Sequence, residues 1–191
     1  MGMIVLVLCA VAPLVAAVVL PSALAQDARV AEAVLLTVLA LIIMGLMGLW
    51  LNSTTGAAVF RALGWRCRLL QFSIVSLLST VAGLLLFVGP VLRSWHYGVL
   101  TAEIGLLLLA GGLASMVAPR NRIIGFRTPR TLASDETWHV ENRIWGRRLA
   151  MASIVAFLAA FAGSWGPLLA VGVALTIGIS FLVDDWRRGR R

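Results

Sequence analysis

Lysine is absent from this 191-residue chain, tyrosine occurs once, histidine and cysteine twice each, and only 13% of residues are charged. Each scarcity excludes something. Cys9 falls inside an apolar run and Cys67 in an Arg-rich connection, at different expected depths, so neither a disulfide nor a thiolate metal site follows. No nucleophile elbow, phosphate loop, paired carboxylates or His/Cys ligand spacing occurs, which points to no enzyme, no metal and no cofactor. The chain also has no Pro/Ser-rich linker or low-complexity run, so residues 1–191 read as one domain. That all sixteen basic residues are Arg carries no mechanistic weight.

What abounds is apolar. Hydrophobic residues make up 61% of the chain, and its mean hydropathy is +0.98, far beyond a soluble domain. The class implied is an all-α polytopic membrane helix bundle, because in lipid a helix satisfies its own backbone. About 20 apolar residues cross a bilayer, and six such spans can be drawn: Met3–Leu20, Val34–Leu51, Leu69–Val88, Val99–Ala118, Leu149–Gly163 and Leu168–Val183. Ile144 with Trp145, and Trp186, lengthen the last two as interface anchors.

A net charge of +8 raises nucleic acid as a partner. The Arg residues, however, flank apolar spans and do not interleave with aromatics, so no nucleic-acid binding is expected. Fourteen Arg fall in the connections after spans two and four and in the tail, against Arg29 and Arg93 on the other side. That imbalance predicts both termini in the cytoplasm of a bacterial inner-membrane protein. It also predicts membrane lipids as partners through anionic headgroups. The first span has a rival reading as a secretory signal ending at Ser22-Ala23-Leu24-Ala25 before Gln26, but no basic residue precedes it, and an uncleaved helix is expected.

Small residues (Gly45, Gly48, Gly83, Gly105, Gly111, Gly112, Ser115, Gly172 and Gly178) supply faces for close helix packing. Pro21, Pro90, Pro119 and Pro167 fall near span ends, and Pro13 would kink the first helix.

The longest hydrophilic interval is Ile124–Trp138, inside the Pro119–Arg148 loop expected in the cytoplasm. Gly125 suits a turn, and Thr128-Pro129 biases the chain to extended geometry. Ser134 before Asp135 and Glu136 reads as a helix start, a hydroxyl cap with two carboxylates against the positive dipole end. That helix can run on into the fifth span. Trp138, Asn142, Trp145 and Leu149 share one of its faces, expected at headgroup level, and Asp135, His139, Arg143 and Arg147 form another file where a surface ion pair can form.

The ordered string Asn121, Ile124, Gly125, Phe126, Arg127, Thr128, Thr131, Leu132, Ser134, Asp135, Glu136, Trp138, Arg143 and Gly146 resembles the signature of the SdpI family of bacterial membrane immunity proteins. The resemblance covers about Gly105 to Gly163. It implies protection against a secreted peptide toxin or envelope stress, with toxin binding relayed by the loop to a cytoplasmic regulator. The implied functional-loop residues are Asn121, Gly125, Arg127, Thr128, Pro129, Thr131, Leu132, Ser134, Glu136, Trp138 and Arg143. Two positions depart from the family pattern: Arg130 stands where many members have an aromatic, and Asn142 where many have His.

Glu103 is the one ionisable residue clearly within a span, about one turn from its outer end, and is the intramembrane candidate. Snorkelling, or pairing with Arg93 or His96 across the short Arg93–Gly98 turn, is its structural alternative. Arg127→Ala and Trp138→Ala are expected to abolish protection with insertion and abundance normal. The competing expectations are an accessory subunit with a membrane-protein partner, a homo-oligomer, and, last, a small transporter.

Overall fold

The computed structural model describes residues 2–20, 29–87 and 93–189. Pro21, Pro90, the Ser22–Gln26 segment, Arg190 and Arg191 lie outside them, as does the side chain of Arg93. The order is α1 (Gly2–Val19), α2 (Val30–Leu51), α3 (Thr54–Leu63), α4 (Trp65–Phe87), α5 (Arg93–Ser115), α6 (Pro129–Ala133), α7 (Asp135–Ala159), a 3-10 segment (Ala160–Trp165) and α8 (Gly166–Gly189). Among the described residues there is no strand.

By length and composition, four stretches can cross a membrane: Val30–Trp50, Trp65–Phe87, Trp95–Ser115 and the 54-residue Asp135–Arg188. The fold is an all-α membrane helix bundle. Six spans were expected; α1 is a shorter apolar helix, and α7 and α8 form one helical stretch interrupted at Gly163. There the backbone takes φ 59°, which only glycine adopts cheaply. The chain doubles back, so that Glu141 near the start of α7 meets Arg188 near the end of α8.

α4 and α5 form the spine. α1 and α2 pack on α4, and α7 and α8 pack on α5. Alanine dominates the buried residues, including Ala10, Ala33, Ala40, Ala82, Ala110, Ala114, Ala156 and Ala170, as expected where lipid supplies no drive for association and helices must gain contact by approaching closely. The tightest crossing joins α5 to α7. A Cβ added at Gly112 would stand 2.6 Å from the backbone of Gly146 and Ala150, and one at Gly146 would stand 2.8 Å from the Gly112 carbonyl. Gly112 therefore bears out the small-face expectation, whereas Gly45, Gly172 and Gly178 have nothing near them.

Two expectations change here. The connection after α2 is itself a helix: α3 is capped by Ser53 and buries Val59 and Leu63 against Cys67, Ala114, Ala118 and Ile124. Arg93–Gly98 is no turn but the first part of α5, because Trp95, His96 and Tyr97 continue its helix. Glu103 thus lies ten residues into α5, about 15 Å along its axis at 1.5 Å per residue, and not one turn from the end.

Candidate functional site

The interval between α5 and α7 folds into a plug across the end of the bundle, built from side chains that satisfy its backbone. Asn121 opens it: Oδ1 accepts from the N–H groups of Ile123 and Ile124, both at 2.7 Å, and Nδ2 donates to the carbonyls of Pro119 and Ile124. This Asx turn buries Ile124 beside α3. Gly125 follows at φ 117°, and a Cβ there would fall 2.4 Å from Asn142 Oδ1 and 3.0 Å from the Trp138 ring. Both conformation and space require glycine.

Thr128 is extended (φ −132°, ψ 165°) and caps α6 through a reciprocal capping box with Thr131, with Pro129 in the first turn. Ser134 accepts from Thr137 N–H at 3.1 Å and starts α7, where Asp135 and Glu136 face the helix dipole. The cap, the extended Thr128 and the unbroken run into the fifth span agree with the sequence reading. Leu132 is half-buried, its carbonyl accepting from Arg120 Nη1 at 3.0 Å.

The tryptophan face is the main correction. Trp138 and Trp145 are 0% and 2% exposed, so their rings face the protein interior and not surrounding headgroups. Trp138 Nε1 donates to the Ala118 carbonyl at 2.7 Å, tying α7 to the end of α5. Asn142 holds Phe126 at both ends, Oδ1 accepting its N–H at 2.6 Å and Nδ2 donating to its carbonyl at 3.3 Å. Phe126 then packs with Trp145 and Phe181 of α8, ring centroids 4.9 to 6.2 Å apart.

Sequence reasoning missed an ion network centred on a buried carboxylate beside this cluster. Glu141, 4% exposed at its side chain, accepts from Arg130 at 2.8 Å and Arg188 at 2.7 Å through Oε1, and from Trp145 Nε1 at 3.2 Å through Oε2. Arg130 also binds Asp185 at 2.8 Å, and Arg188 binds Asp184. The Asp185 hydrogen bond foremost, with Glu141, raises the Arg130 guanidinium above the ordinary arginine range, although burial opposes this. A group raised in the fold keeps its contribution below its unfolded pKa, so Arg130 stays a cation through the whole neutral range. A signal was available: Glu141 sits on the face of Trp138 and Trp145, and a carboxylate on a buried face needs cations.

Other candidates lie apart. Arg127 and Arg143 are exposed, as is Glu136. Arg127 donates to the backbone carbonyl of Arg122. Asp135 pairs with Arg120 at 2.9 Å and not with the file His139, Arg143 and Arg147. Glu103 is remote from the plug: its Oε1 accepts from Ser76 of α4 at 2.8 Å, while Oε2 is buried without a partner. The alternative pairing with Arg93 involves a side chain outside the described residues.

These features define a helical membrane bundle whose α5, α7 and α8 ends are closed by a hydrogen-bonded polar plug. Residues 117–183 match the SdpI/YfhL protein family. The match starts and ends later than the Gly105–Gly163 expected, and so takes in α8 up to Val183. Immunity protein SdpI of Bacillus subtilis (strain 168) is 33% identical over 73 residues, 38% of this chain and 35% of that protein. The chain thus aligns with about a third of that relative's length. No solved structure matches.

Proposed function

We propose that this chain is a membrane immunity protein that protects its cell against a secreted peptide toxin or envelope stress, with the plug as the element that senses helix movement. The observation carrying this reading is the coincidence of the family region with the plug. Asn121, Gly125, Thr128, Thr131, Ser134 and Trp138 are the residues that build its turn, caps and anchor. Their order is explained by a folded element and not by charge balance alone.

The plug faces the cytoplasm of a bacterial inner membrane, with both termini on the same side, as the arginine imbalance favours. An apolar peptide docks on the intramembrane helix faces near Glu103, whose unpartnered Oε2 at the α4/α5 contact offers an acceptor. Displacement of α5 then reaches the plug through Ala118 and Trp138. Arg127 and Arg143, exposed on the plug, present charge to a cytoplasmic regulator.

Deleting the gene should sensitise cells to membrane-active peptides secreted by neighbouring strains. The wild-type gene should restore growth, and Arg127→Ala should not, although that variant accumulates normally because its side chain is exposed. Full resistance with Arg127→Ala would remove the plug surface from the mechanism, and an unsensitised deletion strain would remove immunity itself.

A further inference from the structure

Beside the plug, a groove of about 410 Å³ runs between Gly125, Phe126 and Arg127 on one side and α8 on the other, from Leu182 to Ala174. Its wall is the exposed apolar face Leu175, Ile179 and Leu182. Its floor is Gly178, where an added Cβ would meet nothing within 4 Å. Eight residues of α8 separate the two ends, about 12 Å along the helix.

Charge is distributed unevenly around it. Arg130 and Arg188, in the adjoining network, are neutralised by Glu141, Asp184 and Asp185. Arg127, at the rim, is exposed and donates only to a backbone carbonyl, with no carboxylate against it among the described residues. A cation at the bundle end, continued inward by an uncharged trough with a bare glycine backbone, complements a molecule with an anionic head and a hydrocarbon tail.

We propose that this groove is a binding site for one anionic phospholipid, its phosphate on Arg127 and the upper part of an acyl chain on Gly178. The inference rests on the membrane nature of the bundle and stands independently of immunity. Bound there, the lipid bridges the plug and α8 next to the ion network.

The test is native mass spectrometry of the full chain in detergent, titrated with phosphatidylglycerol or phosphatidylcholine. The variants are Arg127→Gln, Gly178→Phe and, as a control on exposed α3, Arg61→Gln. Wild type and Arg61→Gln should retain one phosphatidylglycerol in preference to phosphatidylcholine. Arg127→Gln should weaken retention about fivefold, since one basic residue near an anionic headgroup contributes about 1 kcal/mol.

Gly178→Phe should weaken retention of both lipids with the melting temperature unchanged, because its ring fills free space. If that variant unfolds, Gly178→Leu gives the same reading. Glycerol phosphate, which lacks chains, should not compete; competition would mean a site for free phosphate and overturn the groove. Equal retention in wild type and both variants would overturn the proposal. So would loss of a dimer in Gly178→Phe, which would assign the face to a second copy.

Discussion

Trp138→Ala should destabilise the protein by about 3–5 kcal/mol, the range for truncating a fully buried aromatic. The ring has no exposed surface, touches Gly125, and its Nε1 satisfies the Ala118 carbonyl. Trp138→Phe should cost less, roughly 1 kcal/mol for the lost hydrogen bond plus the difference in ring size. Thermal unfolding in detergent and the amount of protein in membranes are the measurements. This revises the expectation that Trp138→Ala leaves abundance normal: a ring facing headgroups could be removed harmlessly, but one packed inside the protein cannot. A variant that unfolds with the wild type would show that the plug contributes no stability.

Glu141→Ala should also be costly. Removing one partner of a buried ion pair typically costs about 3–5 kcal/mol. Here both guanidiniums keep an aspartate, and Arg188 is 46% exposed, so the lower end, about 3 kcal/mol or less, is expected. The Trp145 N–H also loses its acceptor. Glu141→Gln retains an acceptor for Trp145 and should recover part of the loss. The same unfolding measurement separates them, and an Ala variant no weaker than the Gln variant would show that the Trp145 bond contributes nothing.

What the sequence revealed and what it hid follow from the range of the interactions. Spans came from runs of apolar residues, and the cap at Ser134 from its immediate neighbours, so both were legible; α6 and its cap at Thr128 were not read. Gly125 was legible as a turn, but the reason it must be glycine involves Asn142 and Trp138, far along the chain. Hydropathy cannot distinguish a tryptophan facing headgroups from one facing Ala118, because both need an apolar ring and a polar N–H partner. Arg130 and Asp185 lie 55 residues apart and meet only once α7 and α8 fold back. Arg130 stood out as a departure from the family pattern; its role is a clamp on α8. α3 was missed because its short amphipathic run lies beside Arg61, Arg66 and Arg68, which reads as a charged connection.

The polar interval packs as a plug on the end of the bundle, and we propose that this end faces the cytoplasm. Single cysteines at Ala118, 1% exposed, and at exposed Ala133, in a chain with Cys9 and Cys67 replaced by alanine, test it with a maleimide that cannot cross membranes. Neither replaced alanine contributes a side-chain hydrogen bond. The cysteine at 133 should react only after the cells are opened, and the one at 118 should stay protected in both states. Labelling at 133 from outside intact cells, or equal labelling at the two positions once opened, would contradict the account.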